Sequence, residues 1–227
     1  MMDRPPEAVL FDLDGTLADT APDLIAALER LRAELGLPRI ETGGLRAHAS
    51  RGANAILALG LPELGGADRD AFRSRYLDDY QAHCWDASRP FDGMPELLDC
   101  LDAAGVPWGV VTNKLSRLAR PVLDQAGWAE RIACLIAGDT TGRAKPAPEP
   151  VLAACSALGI EPRRVVFVGD DERDVIAGQA AGTSTVAALW GYIPSPERVA
   201  GWGADAMAGA PSALHEFLGL KRCSVLT

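Results

Sequence analysis

Two aspartates separated by a single residue, Asp12 and Asp14, follow directly on the apolar run Ala8-Val-Leu-Phe11. A second run, Trp108-Gly-Val-Val111, leads into Thr112 and Asn113. A third, Ile132-Ala-Cys-Leu-Ile136, is followed by Lys145 in Lys145-Pro-Ala-Pro148. A fourth, Val165-Val-Phe-Val168, ends in Gly169-Asp170-Asp171-Glu172-Arg173-Asp174. On an extended backbone, residues two apart point to the same side, so Asp12 and Asp14 would share a face. Gly15 allows a sharp turn and lets a ligand approach the backbone. Crowded carboxylates repel one another unless a cation or protons intervene. An all-oxygen cluster with room for phosphate and water suits Mg2+, which is usually held by one or two carboxylates and keeps several waters.

Such residues need elements to bring them together. Short apolar runs that end in glycine and polar residues read as buried parallel strands, and Thr185-Val-Ala-Ala-Leu189 is a fifth of the same form. Between them lie helical patterns. Leu97, Leu98 and Leu101 precede Gly105; Leu118, Val122 and Leu123 precede Gly127; Val151, Leu152, Cys155 and Leu158 precede Gly159. Strands alternating with helices predict an α/β fold, a Rossmann-like doubly wound parallel sheet. In such a sheet, ligands bind beyond the carboxyl ends of the strands, where all the residues named above fall. From Pro22 to about Pro90 the rhythm breaks. Leu24, Leu28, Leu31 and Leu35 recur at helical spacing, as do Phe72, Tyr76 and Tyr80. This stretch reads as a helical insertion after the first strand. It divides the chain into a discontinuous core, residues 1–19 and 91–222, and an inserted unit, residues 20–90.

Composition narrows the function classes. Lys and Arg number 22 and Asp and Glu 31, a net charge of −9, and no basic run of the kind nucleic-acid binders carry is present. A small anionic substrate would therefore need local cations. The five cysteines form no C-x-x-C pair and are expected to be free thiols, with zinc disfavoured by the spacing of His48, His83 and His215. No apolar run approaches the roughly 20 residues of a membrane span. Residues 1–7 lack the apolar stretch of a secretory leader, so a cytoplasmic location is expected. The tail after Cys223 is one residue too long for a prenylation box.

Each chemical piece has a plainer reading by itself. A D-x-D at a strand end serves as a turn or cap, Thr-Asn as a cap, a lysine before prolines as a solvated loop, and an acidic βα turn as a helix N-terminus. Their order at successive strand ends is the informative feature. The set Asp12-Leu-Asp14-Gly-Thr16, Thr112-Asn113, Lys145-Pro and Gly169-Asp170 to Asp174 resembles the four motifs of the haloacid dehalogenase superfamily, over nearly the whole chain to about Leu218. The insertion resembles the cap domain of the phosphoglycolate phosphatase and phosphomutase-like branch. Arg89-Pro-Phe-Asp-Gly-Met-Pro-Glu-Leu97-Leu98, Thr112-Asn-Lys114 and Gly191-Tyr-Ile193 look closest to phosphoglycolate phosphatases and, among these, to N-acetylmuramic acid 6-phosphate phosphatases.

The resemblance implies an Mg2+-dependent phosphomonoesterase. Asp12 would be the nucleophile, forming an aspartyl phosphate, and Asp14 the general acid and then base. Asp12, Asp170 and the Asp14 carbonyl would hold Mg2+. Thr112, Asn113 and Lys145 would bind the phosphoryl group, with Lys145 offsetting charge on Asp12. Asp174, Asp171 and Thr16 would support these groups. A dehalogenase attacks carbon and needs no acid two residues after its nucleophile, whereas an alkoxide leaving group does, so Asp14 favours phosphate chemistry. A phosphomutase of the β-phosphoglucomutase type is an alternative; a receiver-like phospho-switch is another, disfavoured by the insertion and by Asp14. In the insertion, Arg46-Ala-His48-Ala-Ser-Arg51-Gly52 is the segment most suited to read substrate. Arg51 beside Gly52, with Arg46 and His48 as further candidates, could bind a carboxylate, which both phosphoglycolate and N-acetylmuramic acid 6-phosphate carry. The plainer reading of all three is a solvated helix face. Oligomeric state is not legible.

Overall fold

The computed structural model describes residues 5–193 and 195–220; the tail with Cys223 lies outside them. Strand β1 (Ala8–Phe11) is followed by a two-residue strand, β2 (Ala18–Asp19). Helices α1 (Ala21–Glu34), α2 (Ala53–Gly60) and α3 (Gly66–Ala82) come next, with a 3-10 turn (Arg46–Arg51) between the first two. Strand β3 (Arg89–Pro90) returns antiparallel to β2, pairing Ala18 with Pro90 and Asp19 with Arg89. The remaining elements are α4 (Met94–Ala103), β4 (Trp108–Val111), α5 (Ser116–Gln125), β5 (Leu135–Ile136), α6 (Glu149–Leu158), β6 (Val165–Gly169), α7 (Glu172–Ala181), β7 (Ser184–Ala188), α8 (Pro196–Val199), β8 (Ala206–Ala208) and α9 (Leu214–Phe217).

Six strands form one parallel sheet in the order β5-β4-β1-β6-β7-β8. Every residue of β1, β4 and β6 is buried, as expected of strands covered on both faces. Alternation along β1 assigns the faces. Ala8 and Leu10 pack with Val151, Ala154 and Cys155 of α6 and Ala177 of α7. Val9 and Phe11 pack with Leu97 and Leu98 of α4 and Leu118 and Val122 of α5. The sheet is thus doubly wound, as the apolar runs predict.

The differences from the sequence reading lie in short elements. The third run pairs as a strand only over Leu135–Ile136, although Ala133 N–H already donates to Trp108 O at 2.8 Å. It is an edge strand with a neighbour on one side only. Strands β2, β3 and β8 are too short to show a period. On α6 the buried face is Val151, Ala154 and Cys155, while Leu152, about 100° round the helix, is 41% exposed.

The three helices of the insertion pack on one another and share a continuous apolar cluster with the sheet, through Leu24, Leu28, Ile56, Tyr76 and Tyr80. Tyr76 and Tyr80 are fully buried and Phe72 half-buried, so this stripe packs core. Tyr76 Oη donates to Leu24 O at 2.9 Å, which joins α3 to α1. Cys84, Cys134 and Cys155 are free thiols, and no helix among the described residues is long and apolar enough to cross a membrane.

Candidate active site

The chain places β4 and β5 on one side of β1 and β6, β7 and β8 on the other. The carboxyl ends of β4, β1 and β6 therefore meet at the topological switch point, where a crevice opens. Asp12 leaves β1 there, with its N–H on Val168 O at 2.9 Å. Thr112 leaves β4, held by its N–H on Ile136 O at 2.9 Å, and Asp170 leaves β6. A cleft of about 200 Å3 is lined by Asp12, Asp14, Thr112, Asn113, Lys145 and Asp174 from the sheet side. From the insertion come Ser50, Arg51, Gly52, Asn54 and Arg73.

Lys145 is the cationic hub. Its buried ammonium lies 3.0 Å from Asp12 Oδ1 and 2.7 Å from Asp174 Oδ1, and donates to Val111 O at 2.7 Å. Burial works against its charge, but Asp12 and Asp174 outweigh that and raise its pKa. Asn113 fixes the lysine's backbone: its Oδ1 accepts from Lys145 N and its Nδ2 donates to Lys145 O, both at 2.9 Å. Its side chain is thus engaged in positioning Lys145. Asp12 Oδ1 also accepts from Leu13 N at 2.7 Å, whereas Oδ2 has no hydrogen bond among the described residues.

Asp12, Asp170 and Asp174 each offer an oxygen within 4.8 Å of the others. Burial, then the charges of Asp12 and Asp174, push Asp170 well above the usual carboxylate range. Asp174 is raised to about 7, by burial first, despite Lys145. One ammonium is not enough for three buried carboxylates, and this hard, all-oxygen donor set fits a divalent cation such as Mg2+. Thr16 Oγ1 donates to Asp170 Oδ1 at 2.9 Å and Tyr192 N to Oδ2 at 2.9 Å. Space around Asp170 is tight. A Cβ on Gly191 would stand 2.3 Å from Asp170 Cβ and 2.4 Å from Gly15 O, and Gly15 itself has φ +88°. Asp171 sits beside the cluster as the N-cap of α7. It forms a capping box with Asp174, whose Oδ2 accepts from Asp171 N at 3.1 Å. The box that closes the helix therefore also presents Asp174 to Lys145.

Asp14 goes a different way. Its carboxylate is held by Lys114 Nζ at 2.9 and 3.2 Å and by Thr20 Oγ1 at 2.5 Å, while its main-chain carbonyl accepts from Ser50 Oγ at 3.3 Å. The same hydroxyl donates to Asp170 Oδ2 at 2.9 Å, so the Asp14 carbonyl and Asp170 converge on one point. Lys114 is buried against the Tyr80 ring, its Nζ 4.4 Å from the centroid. Arg173 is held by Asp171 and donates to Ser50 O at 2.7 Å, fastening the insertion to the core. Arg46 lies outside the cleft: its guanidinium is occupied by Asp19 at 2.8 Å and stacks on Tyr192. His48 does not line the cleft either.

Several of these residues carried little signal in the sequence. Lys114 stands two past Thr112 on the same side, but its partner lies 100 residues away. Ser50 and Arg173 are hidden among neighbours with louder chemistry, and Asn54 and Arg73 fit no motif.

This fold and this cluster define the class. Residues 6–182 match the haloacid dehalogenase-like hydrolase family, and the chain belongs to it. Within it, the chain is similar to the N-acetylmuramic acid 6-phosphate phosphatase of Pseudomonas aeruginosa, 48% identical over 219 residues and 96% of each chain. It is 44% identical over 213 residues to the phosphoglycolate phosphatase of Xanthomonas campestris pv. campestris, covering 94% of this chain and 96% of that one. A haloacid dehalogenase-like family hydrolase from Streptococcus pneumoniae has the same fold, with TM-score 0.81 at 20% identity over 96% of this chain and 99% of that one.

Proposed function

We propose that this phosphatase of the haloacid dehalogenase-like family hydrolyses a small carboxylated phosphate monoester, N-acetylmuramic acid 6-phosphate or 2-phosphoglycolate, through an aspartyl phosphate on Asp12. The observation that carries the reading is the state of Asp12 in the cleft. Lys145 and Leu13 N fix Oδ1, and Oδ2 makes no hydrogen bond among the described residues, in a cleft that Asp14 also lines. In the first step Asp12 Oδ2 bonds to phosphorus, the ester P–O bond breaks, and Asp14, entering the step as the carboxylic acid, gives its proton to the leaving oxygen. In the second, water attacks phosphorus, Asp14 takes its proton, and the Asp12–P bond breaks to free inorganic phosphate. Thr112 binds a phosphoryl oxygen, Lys145 offsets charge on Asp12 and the phosphoryl group, and Lys114 with Thr20 sets the position of the Asp14 carboxyl group. Asp12, Asp170 and the Asp14 carbonyl would hold Mg2+, which supplies positive charge against the phosphoryl oxygens. Residues 20–90 act as a cap, excluding water and reading the organic part of the ester, with Arg51 beside Gly52 facing its carboxylate.

The substrate class is supported by the names of the relatives and by the cations on the cleft's insertion wall. Phosphate release from both esters, with glucose 1- and 6-phosphates and nucleoside monophosphates as controls, tests it. Mg2+-dependent release from a carboxylated ester, absent in Asp12→Asn, is expected. No release from any ester by folded protein, or phosphoryl transfer between sugar hydroxyls instead of to water, would overturn it.

A further inference from the structure

Two cations in the cleft are not consumed by the phosphoryl-handling cluster. Both come from the insertion: Arg51, which ends the 3-10 turn, and Arg73 on α3. The chain has more acid than base, and many of its guanidinium groups meet a carboxylate. Arg30 meets Asp79, Arg32 meets Glu63, Arg46 meets Asp19, Arg117 meets Asp78 and Arg173 meets Asp171. Among the described residues Arg51 and Arg73 meet none, although they border a cleft with three carboxylates on its far wall.

Arg73 is nonetheless held in place. Its Nε donates to Asn54 Oδ1 at 2.7 Å, and Asn54, in the first turn of α2, lines the same cleft. An amide acceptor on Nε fixes the guanidinium without neutralising it. The Nη pair makes no hydrogen bond among the described residues and is left for another acceptor. A guanidinium fork matches a carboxylate in width and in hydrogen-bond direction, which an ammonium does not. A guanidinium fork that borders the cleft and faces no carboxylate is open to an incoming anion.

We propose that Arg73, oriented by Asn54 and acting beside Arg51, determines specificity by binding the carboxylate on the organic part of the ester. The assignment rests on the phosphatase reading above and extends it to α3, beyond the 3-10 turn. Arg73 touches neither the nucleophile nor the acid, so its loss weakens binding of carboxylated esters and leaves the chemical step intact.

The test uses the full chain with Mg2+ and two matched ester pairs that differ in the carboxylate. One pair is N-acetylmuramic acid 6-phosphate and N-acetylglucosamine 6-phosphate; the other is 2-phosphoglycolate and ethyl phosphate. Arg73→Met keeps the aliphatic stem and removes the fork. It is expected to raise KM about 10- to 100-fold for the carboxylated members, the range of a charge-assisted hydrogen-bonded pair. The carboxylate-free members and kcat are expected to change less than about 3-fold by the same argument. Arg73→Lys restores part of the affinity, and Asn54→Ala falls between Arg73→Met and the parent. An unchanged thermal melting curve confirms that each variant folds. Equal losses on both members of a pair, or no loss on either, would overturn the assignment while leaving the phosphatase reading intact. If the parent protein releases phosphate from no ester, the phosphatase reading fails, and this assignment with it.

Discussion

Lys145 satisfies Asp12, Asp174 and a main-chain carbonyl with one buried ammonium. Lys145→Met would leave two carboxylates uncompensated in a dry setting. Breaking a buried pair from one side typically costs about 3–5 kcal/mol. Urea unfolding without divalent cations should show a loss of that order together with loss of turnover; a loss under about 1 kcal/mol would contradict the hub role. Lys114 is tested through its effect on Asp14. Asp14→Asn should lower kcat about 10²- to 10⁴-fold for alkyl esters and much less for p-nitrophenyl phosphate, whose leaving group needs no proton. Lys114→Met should show the same leaving-group dependence in weaker form, and equal losses on both esters would place Lys114 elsewhere in the reaction. The sequence made Asp12, Asp14 and Asp170 legible because they stand at or just past the end of an apolar run, and Lys145 because it follows the third run in order, before Pro146. It marked the segments that hold Lys114, Ser50 and Tyr192 but not their roles, which come from contacts across 36 to 172 residues of chain.

The loop after β7 joins the sheet to the insertion. Tyr192 N donates to Asp170, while Tyr192 Oη accepts from Thr20 N at 2.7 Å and Ala21 N at 2.8 Å and reaches Asp19 at 3.0 Å. One side chain thus satisfies the first N–H groups of α1, which lacks a side-chain cap of its own. Tyr192→Phe would strand those buried donors at a cost of about 1–3 kcal/mol, read by chemical unfolding. A change within about 0.5 kcal/mol, the range of neutral surface substitutions, would deny the role. Gly191→Ala pushes a Cβ against Asp170 and the Gly15 carbonyl, so it should abolish activity even where the fold survives. At this scale the long parallel strands were legible because both faces are buried and the run is unbroken. Strands β2, β3 and β8 were not, because two or three residues carry no period and exist only through their partner. The exposed Leu152 shows the same limit from the other side: the i, i+4 pattern identified α6 but admitted a residue off its buried stripe.

The insertion and the sheet share one apolar cluster and meet at the cleft, the sheet side supplying all three of its carboxylates and the insertion adding Arg51 and Arg73 to a protein of net charge −9. Three buried carboxylates within 4.8 Å make the folded chain a better ligand for a divalent cation than the unfolded one. Mg2+ at about 100 times its Kd should therefore add about 2.7 kcal/mol of stability and raise the melting temperature by several degrees. Asp170→Asn should abolish the rise, and a wild-type melt indifferent to Mg2+ would contradict the metal assignment. The most direct test of the account is to quench turnover of a radiolabelled phosphate ester in acid and find the label. It is predicted on the peptide that carries Asp12, and to be absent, with turnover, from Asp12→Asn. Label on another residue, or turnover that persists in Asp12→Asn, would contradict the assignment of Asp12 as the nucleophile.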